Sequence, residues 1–261
     1  MALTVVVAAA PVLWMLVGSL KQEFEVTALP MIWFPTGGLQ FHNYITVLEI
    51  TPLAKGYLNS LIIGIIVTAV EVLTSALAGY AFAKLQFRGS NVLFVGVLST
   101  MMLPGFLLQM PLFVAMQRVG WLNTYYAMIV PFLITPFGIF MMRQFMLNVP
   151  TDYIDQARID GAGELELIFR VVFPLCTQAA VALAIFVFIA NWDQLFWPLL
   201  VLRQREMYTL PLALYAIQGE MATYYHLILA GATLAVIPPL VVYMFFQDKI
   251  VQGITLTGLK G

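Results

Sequence analysis

The stretch from Tyr57 to Ala83, YLNSLIIGIIVTAVEVLTSALAGYAFA, decides the fold class of this chain. Glu71 is its single charged residue. An α-helix needs about 20 apolar residues to cross the hydrocarbon core of a bilayer, whereas the strands of a membrane barrel are about half as long and alternate apolar with polar positions. The length and the continuous apolar character of this stretch therefore predict a transmembrane helix.

Five further apolar stretches approach the same length. The whole chain is 62% hydrophobic and 10% charged, against about 25% charged residues in soluble globular domains. We therefore predict an all-α integral membrane protein with six transmembrane helices, which form one transmembrane domain over residues 1–261. A charged connection at about 144–174 joins the fourth helix to the fifth. The six predicted spans cover about 2–20, 57–83, 91–116, 124–143, 175–202 and 227–247.

The distribution of Lys and Arg predicts the orientation of this bundle, because cytoplasmic loops carry an excess of these residues. Seven of the 12 fall on the side of the membrane that holds the N-terminus, and the other five fall on the opposite side. We therefore expect both termini and the 144–174 connection to face the cytoplasm.

Charge and motif content excludes several classes of protein. The net charge of −1 and the absence of a Lys/Arg run argue against a nucleic-acid surface. Cys176 is the single cysteine, and no His or Cys cluster has the spacing of a zinc site. No lysine is followed by Ser or Thr, as a P-loop requires. We expect no catalytic residue, no metal site and no ATP site in this chain.

Glu71 lies near the middle of the second predicted span. A charged carboxyl at that depth costs about 2.5–3.5 kcal/mol on insertion scales, so this side chain should face the bundle interior or a water-filled space. Two interpretations follow. Glu71 either lines a translocation pathway, or is a hydrogen-bonded side chain that holds two helices together.

A second polar group lies at the outer end of the fifth predicted span, in NWDQLFWPLLV from Asn191 to Val201. Asn191, Asp193 and Gln194 alternate with Trp192 and other aromatic residues, and sugars bind where aromatic faces meet planar hydrogen-bonding groups. Asn191, Trp192, Asp193 and Gln194 are therefore candidate pathway residues. The alternative for the tryptophans is an aromatic belt at the membrane interface.

The segment TDYIDQARIDGAGELELIFRVVFP, from Thr151 to Pro174, is charged and amphipathic. A helix should begin near Thr151, with Asp152 favourable in its first turn. Gly161 predicts either a turn between two short helices or a place where another backbone comes close. A catalytic carboxylate pair would need a partner base or a metal ligand, and none is present. The pattern instead favours a helix that docks onto another protein. Its apolar face is predicted to include Ile154, Ala157, Gly161 or Ala162, Leu165, Ile168 or Phe169, and Val172.

The stretch DQARIDGAGELELIFRVVFPL resembles the EAA loop of ABC importer permeases. Asp155, Gln156 and Ala157 stand at the E-A-A positions, with Asp for Glu and Gln for Ala as departures. Asp160, Gly161 and Ala162 match the D-G-A, and Pro174 matches the later proline. The likeness extends to the carbohydrate-uptake branch, the maltose-type second permease, through GYAFAKLQFRG (79–89), MLPGFLLQMPLF (102–113), GWLNTYYAMIVPF (120–132), NWDQLFWPLLV and the tail VQGITLTGLKG (251–261).

This resemblance implies a function as well as a fold. In that family the EAA loop is a coupling helix that fits a cleft on an ATPase subunit, so the matched residues and Leu165 would contact the ATPase. ATP and Mg would be held by the partner ATPase dimer, and this chain would have no cofactor. A homologous second permease, an extracytoplasmic solute-binding protein and membrane lipid would be its other partners. The protein would lie in a bacterial or archaeal cytoplasmic membrane. Its solute would be a sugar, an oligosaccharide or a polyol phosphate.

Two other classes remain open from the residues themselves. An ion-gradient-driven secondary transporter would use Glu71 as its coupling carboxyl. A membrane scaffold protein would transport nothing.

Overall fold

The computed structural model describes residues 2–85, 87–220 and 224–258, and in these ranges the regular structure is entirely helical. The predicted all-α class is confirmed. The longer helices are α1 (Ala2–Ser19), α3 (His42–Ile50), α4 (Leu53–Lys84), α5 (Ser90–Thr100), α6 (Gly105–Arg118), α8 (Pro136–Leu147), α9 (Thr151–Ile159), α12 (Thr177–Trp192), α14 (Leu210–Glu220) and α15 (Tyr225–Gly258). The short ones are α2 (Glu23–Thr27), α7 (Tyr125–Ile129), α10 (Glu164–Glu166), α11 (Phe173–Leu175) and α13 (Phe196–Val201).

Five segments of the described chain are long and apolar enough to cross a membrane if each bent pair is one span. Three are continuous, at Leu53–Lys84, Tyr125–Leu147 and Tyr225–Phe246. Two are bent pairs, α5 with α6 and Glu164–Leu175 with α12. The apolar helix α1, with 18 residues, stands where the first of the six spans was predicted. Helix α14 has 11 residues and is too short to cross, since a span needs about 20.

The predicted single span at 91–116 is instead two helices at 96° to each other. Helix α5 ends at Thr100, and Pro104, with ψ 123°, stands just before α6. Proline disfavours helical backbone in the residue before it, so α5 does not continue through Leu103 into α6. The predicted span at 175–202 is also interrupted. It begins at a bend of 83° beside Cys176 and ends at Trp192, and α13 is a separate short helix.

The described residues form two compact units, one from 62–191 with 242–261 and one from 1–61 with 192–241. In the first unit, α4 packs along α8 and the residues just before it. The Thr74 hydroxyl donates to the Leu133 carbonyl at 2.6 Å, Arg143 Nε donates to the Phe82 carbonyl at 3.2 Å, and Lys84 Nζ donates to the Val149 carbonyl at 2.6 Å. The residue numbers in these three pairs rise together on the α4 side and on the α8 side, so the two helices are parallel. The chain must therefore cross the membrane once more between α4 and α8, as the predicted order of spans requires.

In the second unit, the first turns of α4 are fastened to the segment before α14. The Asn59 side-chain amide donates to the carbonyls of Glu206 and Tyr208, both at 2.9 Å. The Ser60 hydroxyl accepts the backbone N–H of Leu210 at 2.8 Å. The Ser60 bond satisfies an N–H at the start of α14, where no intrahelical acceptor exists for it, and the Asn59 bonds satisfy two carbonyls of the segment before that helix.

The tail 251–261, which carried part of the sequence resemblance, lies only partly within the described residues. Helix α15 continues to Gly258, and residues 259–261 are outside the described ranges.

Gly79 lies at a close approach between α4 and α8, and we expect Gly79→Ala to lower the melting temperature of the detergent-solubilised protein. A Cβ at this position would lie 2.8 Å from the Met142 Cβ and 2.9 Å from the Arg143 backbone nitrogen. Overpacking of this kind costs about 1–3 kcal/mol. Gly96→Ala is the matched control, because nothing lies within 4 Å of a Cβ there. Equal melting temperatures for the two variants would contradict the proposed tight crossing.

Candidate functional site

The charged segment begins with helix α9, which starts directly after Pro150, as predicted. Proline fixes a φ that suits the entry to a helix, and Asp152 lies in the first turn, where the helix dipole favours a negative charge. Ile154 is the buried anchor of this helix, with 2% of its surface exposed. Most of the other α9 side chains are exposed, so the helix lies on the surface of the chain.

The turn predicted at Gly161 is present, and it is a Schellman motif. The Ala162 N–H donates to the Ala157 carbonyl at 3.0 Å, and the Gly161 N–H donates to the Arg158 carbonyl at 3.0 Å. Gly161 has φ 89°, a left-handed conformation that glycine adopts without a steric cost from Cβ. The chain then enters α10 at Glu164, so two short helices flank the glycine.

Glu164 joins the two arms of the segment to a membrane-spanning helix. One carboxylate oxygen accepts Arg158 Nη2 at 2.7 Å, and the other accepts the Tyr80 hydroxyl at 2.7 Å. Tyr80 belongs to α4 and is 1% exposed. Sequence reasoning missed this junction. Tyr80 lay in the quoted GYAFAKLQFRG, but no local pattern indicates that it meets a residue 84 positions later.

The apolar residues predicted on one face are divided in the structure, and Leu165 is 68% exposed. Ile154, Leu167, Ile168 and Val172 are the buried apolar residues. The prediction treated residues 154–172 as one helical face. The turn at 160–163 resets the helical phase, and the next turns, Leu167–Val172, are π-helical. Tyr153, Ile159, Leu165 and Phe169 consequently form an exposed apolar surface, with 54%, 85%, 68% and 42% of their areas accessible.

The remaining candidate coupling residues lie contiguously around this turn. Asp155, Gln156, Asp160 and Gly161 are exposed, whereas Ala157 and Ala162 are half-buried. Asp155 lies 3.9 Å from Arg158. Exposed pairs of this kind contribute little to stability, which leaves these polar groups available to a partner.

Glu71 is 3% exposed and is engaged within its unit. The Thr135 hydroxyl donates a hydrogen bond to its Oε1 and accepts the Gly138 N–H, at the start of α8, at 3.1 Å. A Cβ added at Gly138 would meet the Ser75 hydroxyl at 2.2 Å and Glu71 Oε1 at 3.3 Å. This geometry supports the interpretation of Glu71 as a tie between α4 and α8.

The four residues at the end of α12 have separate environments. The Asn191 amide donates to the Val187 carbonyl of its own helix at 2.9 Å. Trp192 is 2% exposed, donates from Nε1 to the Ala235 carbonyl at 3.0 Å and stacks edge-on against Tyr57. Trp197 is fully buried, so neither tryptophan belongs to an interfacial belt. Asp193 is exposed. Gln194 Oε1 is buried with no hydrogen-bond partner among the described residues.

The comparison with known protein families decides the class of the chain. A family model described as "Binding-protein-dependent transport system inner membrane component" matches residues 71–256. The chain belongs to this family. It is a permease, a multi-pass inner-membrane transport component and not an enzyme, and permease subunits of ABC importers carry no cofactor. This membership replaces the alternatives of a secondary transporter and of a scaffold protein.

Relatives of the permease match nearly its whole length. It is 32% identical over 253 residues to the arabinooligosaccharides transport system permease protein AraQ of Bacillus subtilis (strain 168), covering 96% of this chain and 90% of the relative. It is 31% identical over 255 residues to the trehalose transport system permease protein SugB of Mycobacterium tuberculosis (strain CDC 1551 / Oshkosh), covering 96% and 92%.

A solved structure supports the fold of the permease. It is described as the crystal structure of a bacterial ABC transporter involved in the import of the acidic polysaccharide alginate. One of its chains superimposes with a TM-score of 0.83 at 22% identity, over 95% of this chain and 92% of that chain.

The contacts of Glu71 generate a test of its role in the permease. Glu71→Gln keeps an oxygen that accepts the Thr135 hydroxyl, so we expect uptake and thermal stability close to wild type. Glu71→Leu leaves that buried hydroxyl without its acceptor, which should destabilise the protein by about 1–3 kcal/mol. Melting temperature and uptake kinetics are measured on both variants. Loss of uptake by the Gln variant at unchanged stability would contradict a structural tie and favour a pathway role.

Proposed function

We propose that this permease forms half of the translocation pathway of an ATP-driven sugar importer, and that residues 152–169 couple it to the ATPase. Closure of an ATPase dimer would move this segment, and the permease pair would switch between inward-facing and outward-facing states. A homologous permease, the ATPase dimer and an extracytoplasmic solute-binding protein are the proposed partners. Both termini and the segment face the cytoplasm in this proposal, in line with the Lys/Arg distribution.

The Glu164 junction is the observation that carries this proposal. The segment presents exposed apolar residues to a partner, Ile159 and Leu165 above all. Its second arm is hydrogen-bonded through Glu164 to Tyr80 of α4. A displacement of the exposed surface by a partner would therefore be transmitted to the membrane-spanning helix α4 through the Tyr80–Glu164 hydrogen bond. This bond is charge-assisted and is therefore stronger than a neutral hydrogen bond. Asp155, Gln156, Ala157, Asp160, Gly161, Ala162 and Leu165 are the proposed contact residues.

The names of the relatives support a saccharide as solute, since they refer to arabinooligosaccharides and trehalose. Among the candidate pathway residues, Asp193 is exposed and Gln194 has a buried oxygen with no partner among the described residues, so these two fit a polar solute best. Asn191, Trp192 and Glu71 are held by the hydrogen bonds described above, and they are proposed to shape the pathway rather than to contact the sugar.

The function is tested by purification from the native membrane under mild detergent, followed by reconstitution into liposomes. We expect an ATPase and a second permease to co-purify, and uptake of radiolabelled saccharides to require both ATP inside the liposome and the solute-binding protein outside. Uptake by the purified chain alone, driven by a proton or sodium gradient, would contradict the proposal.

The turn at Gly161 gives a sharper test of the coupling role. Any residue with a Cβ is strained at φ 89°, by about 1–2 kcal/mol, and a β-branched residue is strained most. Gly161→Val should therefore uncouple ATP hydrolysis from uptake, whereas Gly161→Asn should do so weakly, because asparagine tolerates this conformation. The uncoupling by Gly161→Asp should be intermediate between that of the Asn and Val variants, because aspartate adds a charge that faces the partner.

Gly163→Ala is the matched control for this series. Gly163 has φ −76°, and nothing lies within 4 Å of a Cβ at either glycine. The readouts are saccharide molecules transported per ATP hydrolysed and the amount of ATPase that co-purifies. Full substrate-stimulated uptake by Gly161→Asp would contradict the coupling role.

A further inference from the structure

The connection between α1 and α3 folds back along α1 instead of extending away from it. The Trp33 ring lies edge-on against the Trp14 ring, with centroids 6.0 Å apart. Trp14 is five residues before the end of α1 at Ser19, which places it about 8 Å inside that end at 1.5 Å per residue. Residues near Trp33 therefore lie beside the body of the apolar helix, below its last turn.

Buried hydrogen bonds hold this connection in place. Glu25 is 1% exposed and accepts the backbone N–H groups of Gln22, Thr36 and Gly37 at 2.8, 2.6 and 3.1 Å. The Thr36 hydroxyl also donates to it. The Thr36 hydroxyl and the Gln22 amide are the main causes that lower the pKa of Glu25 to about 2. Its stabilising effect is thus fully present above pH 4.5, the ordinary pKa, and is lost only as the pH falls towards 2.

Two further side chains tie the same connection to the end of α1. Lys21 is fully buried, and its ammonium donates to the Ile32 carbonyl and lies 4.2 Å from the centroid of the Trp14 ring. The Asn43 amide donates to the carbonyls of Ser19 and Lys21, both at 2.9 Å. The main polar side chains of the connection therefore point inward and bond to it.

The outward surface of the connection is apolar. Its large exposed apolar side chains are Phe24, Leu29, Met31, Trp33, Phe34, Leu39 and Phe41, with between 52% and 95% of each surface accessible. Thr27 and Thr36 are the exposed polar side chains between residues 24 and 41. Lys21 is the only Lys or Arg between residues 20 and 43, and it is buried. Glu23 is the one exposed acid in that stretch. This is the reverse of a loop in water, which exposes its polar groups and hides its apolar ones.

We propose that residues 24–41 lie in the lipid interface, in the leaflet that surrounds the C-terminal end of α1, as an anchor that does not cross the membrane. Backbone polar groups in that environment must be satisfied within the protein, and Glu25, Lys21 and Asn43 do this. Aromatic rings such as Trp33 and Phe34 are favoured at that depth. The adjoining helix α1, which Trp33 contacts through Trp14, also exposes apolar residues, since Val12, Leu13 and Leu16 are 39%, 56% and 39% accessible.

A protein partner fits this surface less well than lipid does. Protein interfaces are surrounded by a polar rim, which supplies specificity through charged and hydrogen-bonding groups. Residues 24–41 offer no exposed charge for such a rim, and Glu23, just before them, is the one exposed acid nearby. The proposal is independent of the saccharide and of the coupling segment, and it requires only that α1 be a span.

Spin-label accessibility tests the proposal in the permease purified with its co-purifying subunits, in nanodiscs of phosphatidylethanolamine and phosphatidylglycerol. Labels are introduced by Leu29→Cys and Phe34→Cys in a Cys176→Ala background. Leu13→Cys on α1 is the lipid-facing control, and Glu49→Cys, at an exposed position of α3, is the water-facing control. Relaxation is measured with oxygen, which concentrates in lipid, and with a nickel chelate, which stays in water.

We expect positions 29 and 34 to behave like position 13, with oxygen relaxation high and nickel relaxation reduced relative to position 49. Nickel accessibility equal to that at position 49 would overturn the proposal in favour of a solvated loop. Protection from both reagents would overturn it in favour of a protein partner. A second measurement avoids new cysteines. The fluorescence of Trp33 is taken as the difference between the wild-type protein and Trp33→Phe. Brominated acyl chains should quench this Trp33 fluorescence, and an unquenched difference would also overturn the proposal.

Discussion

The packing of α4 against α8 is the constraint on which the unit built from 62–191 depends. Lipid chains are as apolar as leucine, so two helices gain little from burying apolar surface against each other in a membrane. Close approach and hydrogen bonds must hold them together instead. Gly79 brings the backbones near, and Glu71 with Thr135 forms a polar pair at the start of α8. Because the two helices are parallel, their C-terminal ends meet, and the proposed coupling segment begins just after that junction.

That location explains why a single acid can link a surface segment to a span. Tyr80 is buried near the end of α4, and Glu164 is the first residue of α10. Glu164 accepts hydrogen bonds from Tyr80 on one oxygen and from Arg158 on the other. Arg158 belongs to α9 and Glu164 to the arm beyond the glycine, so the same carboxylate fixes the angle between the two arms. The Schellman turn at Gly161 makes that angle possible.

Several buried polar side chains of this protein hold distant segments of backbone in place. Asn59 and Ser60 satisfy backbone groups before α14, Trp192 bonds to the backbone of α15, and Glu25 organises the connection after α1. An unpaired polar group costs more in a low-dielectric surrounding than in water. A chain with 10% charged residues can therefore keep most of its surface apolar only if its few polar groups find partners inside.

The sequence by itself determined the helical class and the positions of the apolar segments, because hydropathy over about 20 residues is a local property. It also determined the start of α9 after Pro150 and the turn at Gly161, because backbone preferences of proline and glycine are local as well. It did not determine the bends that interrupt two of the apolar segments. The tertiary structure alone decided the rest. Leu165 is exposed because a turn and a π-helical stretch shift the helical phase, Trp192 is buried rather than interfacial, and Tyr80 meets Glu164 because α4 and α8 run parallel. Such contacts join residues far apart in the chain, and no spacing within the sequence encodes them.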